Sequence, residues 1–186
     1  AILAAARSAF AERGFDKASI RAIATAAGVD PALIHHYFGT KEQLFLAAMQ
    51  VPFDPGAMVA HVLGEGRAGA GERLIRTMLS AWDSPAGAAV VALVRSAMAN
   101  EAFARVLREF VTHGILRRIA KEFRLDPAEA GLRTNLVASQ VVGLIMVRHI
   151  IRLEPVASTP AEVLVPVVGA TVQRYLTEPL HALPEG

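Results

Sequence analysis

The chain has no cysteine in its 186 residues. That excludes a disulfide framework and any thiolate metal site, and it suits a reducing cytosol. Aromatic residues are scarce at 6%, within a hydrophobic content of 53%. The interior must therefore be built mainly from aliphatic side chains. Charge of one sign is also lacking. The formal net charge is +2, and residues 1–50 set Arg7, Arg13, Lys17, Arg21 and Lys41 against Glu12, Asp16, Asp30 and Glu42. A surface this balanced gives little long-range attraction to a polyanion. Long apolar runs are missing: Val141 to Val147 stops at Arg148, well short of the ~18 residues a membrane span requires. The opening AILAAARSAF is already amphipathic and has no basic n-region, so it does not read as a signal peptide. It also lacks Met and reads as a helix whose first turns precede it. Catalytic signatures are missing too. The histidines lack HExxH spacing, and there is no glycine-rich phosphate loop and no GxSxG elbow. The chain is expected to be neither an enzyme nor a cofactor carrier.

What remains is helical throughout. Strand-like alternation is absent, and helix starts are marked by a polar residue followed by proline at Asp30-Pro31, Asp54-Pro55, Ser84-Pro85, Asp126-Pro127 and Thr159-Pro160. The cap oxygen takes an unpaired N–H, and proline has none to leave unpaired at the first helical position. Thr40-x-x-Gln43, Asp126-x-x-Glu129 and Thr159-x-x-Glu162 extend the signal to capping boxes or their close relatives. The pattern predicts helices over 1–13, 20–27, 31–37, 41–50, 56–64, 70–82, 85–99, 101–123, 127–153 and 160–177. A seam is expected at Gln50 to Gly56, a flexible point at Gly64 to Gly71, and a frayed tail from Glu178 to Gly186.

The stretch from Ile20 to Lys41, IRAIATAAGVDPALIHHYFGTK, is the most informative. Helix 1 aligns Leu3, Ala6 and Phe10, and Gly14 should end it as a left-handed cap. Ser19 should cap helix 2. Ile23 and Ala27 face inward, Ala24 permits a close crossing, and Gly28 makes the turn. Ile34 and Phe38 then bury helix 3. Two short helices, a glycine turn and a second helix left free follow the helix-turn-helix plan. The outward residues of helix 3 are Ala32, Leu33, His35 and His36, with Tyr37 toward its end. Small or apolar groups can meet thymine methyls, and histidine can donate or accept at base edges. Thr40, Lys41 and the free amides opening the next helix form a phosphate seat.

AERGFDKASIRAIATAAGVDPALIHHYFGTKEQLF resembles the DNA-binding domain of the TetR family of bacterial repressors. The residues that carry the likeness are Gly14-Phe15, Ile23-Ala24, Ala27-Gly28-Val29, Tyr37-Phe38 and Lys41-Glu42-x-Leu44. The segment PALIHHYFGTKEQLF resembles one branch of that family. His35 is a departure, since it stands where the family usually has a tyrosine touching the DNA backbone; Pro31 and Leu33 also replace residues that are often polar. The resemblance implies that Arg21 reaches a base or phosphate. It gives Ala32, Leu33 and His36 to the groove, and Ser19, His35, Tyr37, Thr40 and Lys41 to the backbone.

The rest of the chain suggests a partner face and a pocket. Leu136 to Ile151 is apolar nearly all round, and a helix of that kind must be covered on every side. A second subunit is the economical cover. Dimer contacts are expected from Val137, Val141, Leu144, Val147 and Ile151, and from Val163, Val167, Ala170 and Arg174 on the last helix. The resemblance implies the same pairing, as a four-helix bundle. It also implies an effector pocket among the middle helices, where Met78, Trp82, Met98, Phe103, Phe110, His113, Met146 and His149 are candidates. Arg117, Arg118, Lys121 and Arg124 read as a solvated face.

The expected architecture is all-α: a helix-turn-helix DNA-binding domain over 1–48, then a larger helical ligand-binding and dimerisation domain over 49–186. The expected function is a cytoplasmic, homodimeric repressor released from a palindromic double-stranded DNA operator by a partly apolar small-molecule effector. No metal, cofactor or membrane is expected. The alternative is a helical small-molecule-binding protein or enzyme whose first domain only docks partners.

Overall fold

Three aspartates start helices as the sequence predicts, and Thr159 does not. In the computed structural model, which describes residues 1–49, 54–85 and 87–180 (Pro55 by its backbone alone), Asp30 accepts the N–H of Ala32 at 2.7 Å. Asp54 accepts that of Gly56 at 2.7 Å, and Asp126 that of Ala128 at 2.9 Å. Ser84 and Thr159 instead donate their hydroxyl protons backwards, to the carbonyls of Ala81 and Pro155, both at 2.7 Å. An ionised carboxylate can only accept, so it is kept for the cap. A hydroxyl can also donate, and the preceding carbonyl competes for it. Thr159 does not cap the helix that follows.

The described helices are α1 (Ile2–Lys17), α2 (Ile20–Ala27), α3 (Pro31–Phe38), α4 (Lys41–Ala48), α5 (Pro55–Leu63), α6 (Ala70–Trp82), α7 (Gly87–Ala99), α8 (Glu101–Phe110), α9 (Arg117–Glu122), α10 (Pro127–Ile145) and α11 (Ala161–Thr177). Wider π turns, π1 (Val111–Leu116) and π2 (Met146–Ile150), follow α8 and α10. The single helices expected over 101–123 and 127–153 are therefore widened at these turns without being broken, and they end at Glu122 and Ile150. α1 runs past Gly14, which kinks it with φ 79° and ψ 172°. This is an extended, glycine-only conformation and not the left-handed cap expected there. The expected seam at Gln50 to Gly56 lies largely outside the described residues, as does the end of the tail.

The chain forms two compact units: residues 1–56 with 86–115, and residues 57–85 with 116–186. The first contains α1 to α4 with α7 and α8. Its core joins Ala6, Phe10 and Phe15 of α1 to Ile23, Ala24 and Ile34 of the next two helices, Leu44 and Phe45 of α4, and Val106 and Phe110 of α8. Four phenylalanines concentrate the scarce aromatic content here. Phe110 stacks on Phe45 with centroids 4.5 Å apart and meets Phe15 edge-on at 5.6 Å. Arg7 donates to the Ala48 carbonyl at 2.7 Å, closing the end of α4 onto α1.

In the second unit α6 and α11 cross at a glycine pair. A Cβ on Gly71 would stand 2.2 Å from the Gly169 carbonyl oxygen, and one on Gly169 would stand 2.7 Å from the Glu72 Cα. Val165, Gly169, Val172 and Leu176 form the buried stripe of α11. At the expected flexible point, Gly64 to Gly71, Arg73 donates to the carbonyls of Val62 at 2.7 Å, Ala68 at 2.9 Å and Gly66. By length and a mean hydropathy of 1.4, the continuous helix Pro127–Ile150 is comparable with a bilayer-spanning segment, which the broken apolar runs did not suggest. It nevertheless carries an ion pair between buried Arg133 and half-buried Glu129, at 2.6 Å. The Arg133 guanidinium also caps the end of α11 at the Tyr175 and Glu178 carbonyls.

Candidate nucleic-acid interface

α2 and α3 are each eight residues long, and local chemistry sets both their ends. Ser19 caps α2 by accepting the Ala22 N–H at 3.2 Å. Gly28 ends it at φ 68° and ψ 34°, the left-handed region where a side chain is strained. Val29 then donates back to the Ala24 carbonyl at 3.0 Å. Asp30 and Pro31 open α3 at once, so the turn is only three residues long.

α3 has one fully buried anchor, Ile34, with Phe38 half-buried behind it. Ala32, Leu33, His35, His36 and Tyr37 are all exposed, Tyr37 to 68%. The rings of His36 and Tyr37 meet edge-on at 5.2 Å. His35 places Nδ1 3.1 Å from the Gly39 carbonyl. A carbonyl only accepts, so Nδ1 carries the proton and Nε2 is the free ring atom. Arg21 is exposed at the start of α2.

Thr40 caps α4 by accepting the Gln43 N–H at 3.2 Å. Ser19 and Thr40 both act as caps by accepting, so each keeps its own O–H to donate outward. Lys41 is more constrained than a free surface lysine. Its ammonium donates to the Asp16 carbonyl at 3.1 Å and lies 4.7 Å over the Phe15 ring. It has three donors, and this contact uses one.

The expected pocket residues divide between the units. Phe110 is a core residue of the first unit, locked against Phe45 and Phe15, which removes it from a pocket lining. His113 is likewise committed, its Nδ1 bonded to the Asp16 carboxylate of α1. Met98 is 63% exposed, where a pocket residue would be covered. Phe103 is half-buried in the first unit. Met78 and Trp82 are buried in the second unit, with Met146 and His149 half-buried on π2.

His149 lies beside the edge of Trp82 and 3.2 Å from Asp83. Nε2 is buried without a hydrogen-bond partner among the described residues. Burial holds the His149 pKa below its ordinary value; the Asp83 carboxylate opposes this, and Arg148 and Arg152 reinforce it. Asp83 is engaged by Arg148, whose Nε and Nη2 reach its two oxygens at 3.1 and 3.0 Å.

The expected dimer residues also divide. Val137 and Leu144 are 2% and 6% exposed, so they face the interior of their own protomer and are unavailable to a second chain. A helix apolar all round does not reveal which stripe points inward. Val141 and Val147 are half-buried. Ile151, Val163 and Val167 are 61%, 54% and 68% exposed, and Ala170 and Arg174 are also exposed. Exposed Leu132, Val142 and Leu153 were missed. Leu132, Asn135, Ser139 and Val142 recur at steps of three, four and three, a helical stripe hidden by the polar residues inside it.

An all-helical chain with a free, short second helix behind a glycine turn is a helix-turn-helix protein. Residues 2–48 match the family model "Bacterial regulatory proteins, tetR family", and residues 68–176 match "Tetracyclin repressor-like, C-terminal domain". The chain belongs to the TetR family of transcriptional regulators and is not an enzyme. It is 43% identical to a TetR-family regulator of Streptomyces coelicolor of known structure, with a TM-score of 0.54 over 95% of this chain and 93% of that one. It is 41% identical over 64 residues to the transcriptional repressor AcnR of Corynebacterium glutamicum, 34% of this chain and 32% of the relative. It is 39% identical over 82 residues to the repressor Rv1474c of Mycobacterium tuberculosis, 44% and 41% of the two chains. The matches to these curated relatives therefore span about a third to two fifths of their length.

Proposed function

We propose that this chain is a cytoplasmic homodimeric repressor that binds a palindromic operator and leaves it when a small effector binds. The observation that carries this reading is α3: one buried anchor, Ile34, and five exposed residues in a row of eight. Residues 1–48 form the DNA-binding domain and residues 49–186 the ligand-binding and dimerisation domain. Ala32, Leu33 and His36 read base edges. Ser19, His35, Tyr37, Thr40 and Lys41 hold the phosphate backbone and fix the register, and Arg21 reaches a base or phosphate. Exposed Val163, Val167 and Ala170 on α11, with Ile151 after π2, present an apolar face to a second copy, and exposed Arg174 borders it. Two heads related by a twofold axis read half-sites ~34–36 Å apart or a multiple of that distance. Pairing matters because each head brings few cations. Met78, Trp82, Phe103, Met146 and His149 are the remaining candidates for effector contact. An effector acts only through different affinities for the bound and released spacings.

The test is selection of a preferred sequence from a randomised DNA pool, followed by a salt titration of binding. A palindrome bound by a dimer is expected. Lys41→Ala should weaken binding on every sequence and flatten the log–log salt slope by about one unit. An unchanged slope would remove Lys41 from the phosphate contacts.

A further inference from the structure

The kink in α1 gathers polar partners from three later elements. Gly14 adopts φ 79° and ψ 172°, and the space its side chain would fill is taken by the Glu109 carboxylate; a Cβ there would stand 2.6 Å from Oε2. The same carboxylate accepts the Asp16 N–H at 3.1 Å. The Asp16 carboxylate in turn accepts Nδ1–H of His113 on π1. The Asp16 carbonyl accepts the Lys41 ammonium at 3.1 Å, and Phe15 lies under that ammonium. Thus α8, π1 and the amino end of α4 all converge on Gly14 to Asp16.

Stability does not require this arrangement. The Asp16 side chain is 48% exposed and that of His113 25%, so water could satisfy these groups, and an exposed pair of this kind adds little. Its effect is on geometry. π1 lies where the chain passes from the first compact unit to the second, between Ile115 and Leu116. A π turn holds one residue more than an α turn, and relaxing it would rotate the residues that follow by roughly 100°. His113 stands within π1, so a change of register there would carry its ring off Asp16.

The geometry points to Asp16, Glu109 and His113 as positioning residues for DNA binding. Held by α8 and π1, the Asp16 turn sets Lys41 and the first turn of α4 for the phosphate backbone. Operator affinity therefore depends on residues that touch no DNA. This rests on the reading of Thr40 and Lys41 as backbone contacts.

The test compares the full-length wild type with His113→Leu, which removes the donor, and His113→Asn, which places an amide N–H where Nδ1 stands. Amide exchange over residues 14–18 and 41–44 should quicken about tenfold in the leucine variant, return toward wild type in the asparagine variant, and stay unchanged in α3. On the palindrome selected by the wild type, the leucine variant should bind about tenfold more weakly with the same base preference, and the asparagine variant within about threefold of wild type. Unchanged exchange in a folded leucine variant overturns the latch whether or not the chain binds DNA. Faster exchange with unchanged affinity overturns the positioning role. If the leucine variant does not fold, an asparagine variant that folds but exchanges fast at both segments overturns the donor's role. A wild type that selects no sequence defeats the regulator reading, and the exchange comparison alone then decides whether His113 controls the Asp16 turn.

Discussion

π1 and π2 each send a basic side chain to an aspartate at the end of another helix, and the two pairings differ in kind. His113 on π1 reaches Asp16, near the end of α1, in a half-exposed pair. Arg148 on π2 grips Asp83, the cap residue of α6, with a two-pronged contact. Its remaining nitrogen spans the carbonyls of Val156 and Thr159 at 3.1 and 2.7 Å. That guanidinium side chain is only 12% exposed. The second pairing holds a loop, a helix end and a turn together, so it serves stability. The first is wet and replaceable by water, so its contribution lies in where it puts Lys41. Similar local chemistry serves different ends because burial differs.

The comparison can be broken at three points. The largest effect is expected at Phe110, which leads into π1. Phe110→Ala should cost about 3–5 kcal/mol, because it removes a buried ring packed on both Phe15 and Phe45. Calorimetry or chemical denaturation would show this, and a loss under ~1 kcal/mol would return Phe110 to the list of pocket residues. Next comes Arg148→Ala, expected to cost about 2–3 kcal/mol by leaving Asp83 and two carbonyls without their donor. Stability within experimental error of wild type would mean that π2 is no firmer than π1.

The smallest effect is a pH dependence from His149. Burial lowers its pKa in the folded chain below the unfolded value of 6.5. The unfolded chain therefore takes up the proton first, and stability falls as pH drops from 6.5 toward the lowered value. Above 6.5 this contribution is complete. His149→Phe should flatten that part of the melting-temperature profile, and an unchanged slope would assign it to other groups.

Much of the reading head was legible because its logic is short-range. Gly28, Asp30, Pro31 and Thr40 act within a few residues of their position, and a helix with the single inward anchor Ile34 exposes nearly everything else. The outward stripe of α11 was legible for the same reason, since Val163, Val167, Ala170 and Arg174 keep helical spacing. The errors came from long-range facts. Phe110 is claimed by Phe15 and Phe45, and His113 by Asp16, across most of the first unit's sequence. No local pattern marks such partners. Val137 and Leu144 were misassigned because uniform apolarity leaves a helix's rotational phase open. The Asp16 hub gave no signal at all: its carboxylate reads as one of several balancing surface charges until Glu109 and His113 are seen around it.

The central claim is that the exposed row on α3 reads sequence. The most direct measurement is parallel selection from one randomised DNA pool with the wild type and His36→Ala. The wild type should recover a palindrome, and the variant should recover the same palindrome with relaxed preference at one position in each half-site, at a cost of about 1–3 kcal/mol for the original base pair. An identical consensus bound uniformly more weakly would take His36 out of base recognition. No recovered sequence at low salt, from either protein, would contradict the account itself.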